Sequence, residues 1–184
     1  MGQETGTAAA KILFGDISPS GKLTVSFPKS VGHIPAYYSK KPYAGPFPYI
    51  FSDNAAVYSF GHGLSYTSFT YTHLRLKDEV IHSSGDTIAS VAVTNVGGRE
   101  ADEIVQMYVH AEISLLTRPV KELKGFKRIR IKPGETMEVE FPITKETLAV
   151  WNAEMNYRVE PGTYRIIIGS SSAADEGVVL RVLS

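Results

Sequence analysis

Beyond Ser68, apolar and polar residues alternate with a period of two along much of the chain. Phe69-Thr-Tyr-Thr-His-Leu-Arg-Leu76 shows the pattern most plainly. Such alternation buries one face of a strand and leaves the other to water. Residues 88–93 follow less cleanly, then 104–109, 123–131, 137–141, 164–168 and 178–183. Turn chemistry separates these segments, as in Asn95-Val-Gly-Gly98, Lys132-Pro-Gly-Glu135 and Glu160-Pro-Gly162. Glycine supplies positive φ in such turns and proline presets their first angle. Seven short strands with turns between them predict a mainly β fold, a two-sheet antiparallel sandwich.

The chain before Ser68 has a different character. Ala8, Ala9, Ile12 and Leu13 lie at helical spacing, which predicts a helix of about three turns at most over residues 5–14. Gly15-Asp16 and Ser18-Pro-Ser-Gly21 stop it. Residues 23–27 form a short strand candidate ended by Pro28. Pro28, Pro35, Pro42, Pro46 and Pro48 then recur among Tyr37, Tyr38, Tyr43, Phe47, Tyr49 and Phe51. Proline removes backbone donors, so regular structure is not expected there. The aromatic residues argue against plain disorder. A Pro/Tyr-rich linker lying on a partner surface is the expected arrangement.

Charge narrows the function. Lys+Arg 19 balances Asp+Glu 19, which leaves no electrostatic footprint for nucleic acid or an anionic membrane surface. The densest basic stretch, residues 121–132, alternates with apolar residues and reads as a strand with a charged outer face. There is no cysteine, so disulfides and thiolate metal sites are excluded. No stretch approaches the roughly 20 apolar residues of a membrane span, and Met-Gly-Gln-Glu-Thr-Gly at the N-terminus has no apolar signal core.

Candidate chemistry is sparse. The carboxylates to weigh are Asp16, Asp53, Glu100, Asp102 and Glu103. The last three follow a Gly-Gly turn and are expected to be solvated there. Asp16, in a Gly-Asp turn, suits an Asx hydrogen bond. No pair among His33, His62, His73, His82 and His110 has the spacing of a zinc site. His62 lies between Gly61 and Gly63. Glycines around a residue speak first to backbone geometry, which makes this a hinge; a sugar-facing donor is the other reading. Gly61-His-Gly-Leu-Ser65 is not the Gly-x-Ser-x-Gly of a nucleophile elbow. Gly97-Gly98 is followed by no helix that could cradle phosphate. Trp151, Tyr157, Tyr37, Tyr38 and Tyr49 could stack on sugar rings, although core or lid packing is the commoner use.

Several segments, in order, carry a resemblance. Tyr58-Ser-Phe-Gly-His-Gly-Leu-Ser-Tyr-Thr-Ser-Phe69 resembles the signature joining the last two domains of family 3 glycoside hydrolases, the β-glucosidase group. Phe14-Gly-Asp-Ile-Ser-Pro-Ser-Gly-Lys-Leu23, Ser26-Phe-Pro-Lys-Ser30 and Ile34-Pro-Ala-Tyr-Tyr38 resemble the end of that family's α/β sandwich domain. Residues 93–98 and Val105-Gln-Met-Tyr-Val109 are similar to the start of its fibronectin type III-like domain. Arg118-Pro-Val-Lys-Glu-Leu-Lys-Gly-Phe126 and Lys132-Pro-Gly-Glu135 are similar to its middle, and Pro161-Gly-Thr-Tyr164 to its last hairpin. Thr24 departs from a position where the family often has proline. The likeness extends in particular to periplasmic bacterial β-glucosidases.

The resemblance implies a remnant of the α/β domain with its linker over residues 1–66 and a fibronectin type III-like domain over 67–184. It implies a parent that hydrolyses terminal β-linked glucose with retention, through a covalent glycosyl-enzyme and without an organic cofactor, in the periplasm or outside the cell. The family's aspartate nucleophile lies on an upstream barrel, and its acid/base glutamate also lies upstream of this chain. No catalytic, cofactor-binding or metal-binding residue is therefore carried over. The expected role is a scaffold whose partners are the missing N-terminal catalytic domains, and through them a β-glucoside or oligosaccharide. The isolated chain is expected to be inactive. A free-standing carbohydrate- or protein-binding module is the alternative, resting on fold alone. A helix and strand cut from an α/β sheet read as a truncation scar, with Met1 either a start codon inside a longer gene or an artificial boundary. Residues 1–65 are then expected to be poorly ordered or to self-associate, while 67–184 fold cooperatively.

Overall fold

The computed structural model describes residues 2–42, 53, 55–114 and 116–184. Tyr43, Pro46, Phe47, Pro48, Tyr49, Phe51 and Met1 lie outside the described residues. Helix α1 spans Thr5–Leu13 and is followed by a 3-10 turn at Val31–His33. The strands are β1 (Phe69–Leu76), β2 (Val80–His82), β3 (Thr87–Asn95), β4 (Ala101–Ala111), β5 (Glu122–Ile131) and β6 (Thr136–Ile143). After helix α2 (Lys145–Leu148) come β7 (Val150–Trp151), β8 (Tyr157–Arg158), β9 (Gly162–Gly169) and β10 (Gly177–Leu183).

All seven predicted strands are present, as β1, β3, β4, β5, β6, β9 and β10. They form a three-stranded sheet in the order β1-β3-β6 and a five-stranded sheet in the order β2-β10-β9-β4-β5. The sandwich is antiparallel except where β2 joins β10 in parallel. Three short strands and α2 carry too few residues for a periodic signal.

Alternation places the core between the sheets. Val139, Phe141 and Ile143 of β6 are buried while their neighbours face water. They meet Val105, Met107 and Val109 of β4 and Ile166 and Ile168 of β9 in one apolar cluster. Each such side chain contributes about 1.5–3 kcal/mol by leaving water. Strand β4 does not alternate: its residues are buried almost without break. Its inward side chains enter the core, while Gln106 and Tyr108, on the opposite face, are covered by the chain before Ser68. The Tyr38 ring stands edge-on to Tyr108 at 5.8 Å and stacks on Phe60 at 4.2 Å.

α1 appears where helical spacing predicts it and is stopped at Gly15, whose φ is +84°. None of its residues is buried. The predicted strand at 23–27 is corrected to a looser ribbon. Residues 23 and 27 pair with 57–62 through Leu23 N–H to the His62 carbonyl at 2.8 Å and Phe27 N–H to the Tyr58 carbonyl at 2.8 Å. Only Phe27 and Tyr58 form a bridge. Between them, the Phe60 N–H donates to the Ser26 hydroxyl at 3.2 Å. A side-chain acceptor has taken the place of a backbone rung.

The expectation that Asp102 and Glu103 are solvated in a turn is also corrected. β4 already begins at Ala101, and both carboxylates are buried. Asp102 lies directly opposite Arg130 on β5, and a cationic partner is what lets a carboxylate leave water.

Candidate functional site

The ribbon of residues 17–27 and 57–66 lies on the sandwich with one side and on a surface groove with the other. Its outer side forms an open groove of about 660 Å³ lined by Ile12, Ile17, Leu23, Phe27, Tyr58 and Leu64, with His62 and Lys22 among them. Leu64 of the lining is 74% exposed, and at the neighbouring end of α1 Phe14 is 87% exposed and Leu13 79%. A contiguous apolar surface of this kind marks an interaction face.

The glycines around His62 explain how the ribbon reaches the sheet. Gly61 takes φ +78°, and a Cβ there would lie 2.1 Å from Gln106 Oε1. A Cβ on Gly63 would lie 2.5 Å from the Gly21 carbonyl oxygen. Only glycine permits both the angle and the approach. His62 itself is half-buried, with its ring 5.0 Å from that of Tyr58.

Buried polar side chains fasten the ribbon to the sandwich. Gln106 is fully paired: Nε2 donates to the carbonyls of Gly61 at 3.1 Å and Ser170 at 2.6 Å, and Oε1 accepts from the Tyr108 hydroxyl at 2.6 Å. Glu103 accepts from Lys22 Nζ at 3.0 Å and from the Tyr71 hydroxyl at 2.8 Å. Burial, with the Glu103 charge beside it, pushes the Tyr71 phenol far above its ordinary range. Asn95 donates to the carbonyls of Arg99 at 2.7 Å and Ile131 at 2.9 Å, and accepts from the Thr67 hydroxyl at 2.6 Å. Asp102 accepts from Arg130 Nε at 2.6 Å and Arg128 Nε at 2.9 Å. The Arg130 hydrogen bond above all holds the Asp102 carboxyl below the usual carboxylate range. Gln106, Glu103 and Asn95 thus leave none of these buried groups as a costly orphan, whereas the arginines on Asp102 are largely exposed.

The structure does not gather the other candidates into one site. Asp102 and Glu103 are consecutive on a strand and point to opposite faces, so they cannot flank one bond. Asp16 and Glu100 are exposed, and Asp53 bonds Lys29 at 2.6 Å. His33 bonds Ser30 at 2.8 Å, His73 bonds Thr72 at 3.1 Å, and His82 bonds the Ser184 carbonyl at 3.1 Å. His110 is half-buried on β4. Among the described residues, no three His, Cys, Asp or Glu converge as metal ligands. Ser65 bonds Ser18 at 3.0 Å. Tyr37 is exposed, Tyr38 is packed as above with its hydroxyl oxygen accepting from the Leu123 N–H at 3.3 Å, and Tyr49 lies outside the described residues. The residues that do join the two parts, Lys22, Tyr71, Asn95 and Gln106, carry no chemical motif. The one signal for Gln106 is a polar residue inside the apolar run Ile104-Val-Gln-Met-Tyr-Val109.

Known proteins resemble the chain along nearly its whole length. Residues 1–66 match the glycosyl hydrolase family 3 C-terminal domain, and residues 103–172 match the fibronectin type III-like domain. The chain is 46% identical to the periplasmic beta-glucosidase of Salmonella typhimurium, over 94% of this chain and 24% of that protein. It is 45% identical to a beta-xylosidase of Formosa agariphila, over 95% of this chain and 25% of that protein. The solved structure of a β-glucosidase from Erythrobacter marinus superposes with a TM-score of 0.92 at 38% identity, over 97% of this chain and 24% of that one. The chain thus spans about a quarter of the length of the relatives it matches.

Proposed function

Because this chain belongs to glycosyl hydrolase family 3, as its C-terminal portion, we propose that it is the scaffold quarter of a retaining β-glucosidase and is inactive by itself. The observation that carries this reading is the apolar groove on the family-matched segment. A surface with Phe14, Leu13 and Leu64 in water is a face cut from a larger body, and the catalytic domains are its occupant. The carboxylates agree with the reading: the buried ones are spent on ion pairs with Lys22, Arg128 and Arg130. Retaining hydrolysis needs two acids roughly 5–5.5 Å apart across the bond. The parent acts on terminal β-linked glucose or a related sugar, in the periplasm or outside the cell, as its named relatives suggest. No described helix is long and apolar enough to cross a membrane.

The scaffold role has a direct test. The pure chain is expected to leave a chromogenic β-glucoside intact. Mixed with the catalytic domains of a close relative that lack their own last quarter, it is expected to restore turnover. Hydrolysis by the chain alone would overturn the reading. A second reading, a binding module that stands by itself, draws on the exposed Trp151 and Tyr157.

A further inference from the structure

The sandwich carries one aromatic face that neither its core nor the ribbon uses. Strands β7 and β8 pair only with each other and stand outside both sheets. Trp151 is 59% exposed and lies opposite Tyr157, with ring centroids 5.5 Å apart and planes tilted by 45°. Met155 at the turn is also exposed. The rings are held on a stiff support. Asn152 is buried, and its Oδ1 accepts from the backbone of Glu154 at 3.1 Å and Asn156 at 2.9 Å. Its Nδ2 is enclosed and has no hydrogen-bond partner. Beside the rings, Arg158 is paired with Glu160 at 2.9 Å, and the exposed Glu154 in the turn leaves the rim polar and slightly negative.

We propose that this corner is a binding surface for β-linked glucan or xylan chains. A β-linked pyranose has apolar C–H faces and a rim of hydroxyls. Trp151 offers a π face to one sugar ring, and Tyr157 leans against its neighbour. Arg158, Glu160 and the Tyr157 hydroxyl then meet the hydroxyl rim. A rim whose one cation, Arg158, is already paired with Glu160 offers nothing to a phosphate or a nucleic acid, and its polar groups suit the hydroxyls of an uncharged glycan. Two rings and a methionine give far less than the ~800 Å² per side that a stable protein interface buries. The choice of glycan rests on the glycosidase reading above. The hairpin needs no catalytic domain to bind, so this titration and the turnover assay fail separately.

Trp151 is the chain's single tryptophan, so its emission reports on this corner alone. The 184-residue chain is titrated with laminarin and with xylan oligosaccharides, and with dextran as an α-linked control. The expected result is a saturable change with the β-linked glycans and none with dextran. Trp151→Ala is expected to abolish retardation in a laminarin gel, and Tyr157→Ala to weaken binding about three- to tenfold. Unchanged wild-type emission with every β-glycan overturns the proposal, whatever the variants do. So does a Trp151→Ala chain, folded by circular dichroism, that is retarded like wild type. An equal response to dextran, or an emission change that follows protein concentration alone, names a non-selective surface or a second copy instead and also overturns it.

Discussion

The two faces of the five-stranded sheet are covered in different ways. The inner face meets the other sheet through an apolar cluster that includes Val105, Met107, Ile166 and Leu180, with the Glu103–Tyr71 hydrogen bond at one end. The outer face meets the chain before Ser68 through Tyr38, Phe60 and the Gln106 amide, while Lys22 reaches Glu103 on the inner face at the end of β4. Apolar packing is non-directional and tolerates small shifts; hydrogen bonds and ion pairs fix position. The inner face therefore supplies stability, and the outer face supplies register. The sandwich holds the ribbon at one setting, and the ribbon presents the groove at which the proposed catalytic body docks.

The comparison can be broken first on the inner face. Ile166→Ala removes a fully buried side chain and is expected to cost about 2–5 kcal/mol, read as a lower denaturant midpoint for the whole chain. Gly61→Ala attacks the outer face. It forces a Cβ into the Gln106 amide at a positive φ and is expected to cost about 2–4 kcal/mol. Its distinguishing sign is loosening of the ribbon before the sandwich, seen as early proteolysis between residues 17 and 66. Lys22→Met leaves the Glu103 carboxylate with the Tyr71 hydroxyl but no cation, an expected loss of about 1–3 kcal/mol. Adding Glu103→Gln should recover part of that loss; a double variant as weak as the sum would show the pair to be uncoupled.

The smallest effect belongs to Asp102. Its arginines are largely exposed, so Asp102→Asn should cost less than about 1 kcal/mol at neutral pH. The folded carboxyl titrates below its unfolded value, so the stabilisation is present above the unfolded carboxylate range of about 4. It is lost as pH falls through the lower folded value. Wild type and variant should therefore converge in acid and stay apart at pH 7; a difference that grows in acid would have the wrong sign.

The inner face was legible in the sequence because alternation is a local signal. All seven main strands follow from it, and β6 with its buried Val139, Phe141 and Ile143 reads directly. The junction with the chain before Ser68 was not, because its partners lie far apart in sequence, 45 residues for Gly61 and Gln106 and 81 for Lys22 and Glu103, and the contacts that fix it are polar. Glu103 after a Gly-Gly turn reads as solvent-exposed until Lys22 is placed beside it. Residues 23–27 read as a strand because the Ser26 hydroxyl's capture of the Phe60 amide has no periodic trace. The groove was half legible. Glycines flanking His62 signal a close approach, but not that the approached group is Gln106. The family likeness led to the expectation that residues 1–65 are poorly ordered or self-associate. The structure divides that segment: α1 has no buried residue, while the ribbon is tied to the sandwich at Gly61, Phe60 and Lys22.

Hydrogen exchange of the isolated chain tests that division most directly. The amides of Leu23, Phe27 and Gly61, which bond across the ribbon, and of Ser172, which bonds the Phe60 carbonyl, should exchange as slowly as those of β4 and β9. Those of α1 should exchange far faster. Ribbon amides that exchange with α1, while β4 and β9 stay protected, would show that the sandwich does not hold the ribbon, and would contradict the account.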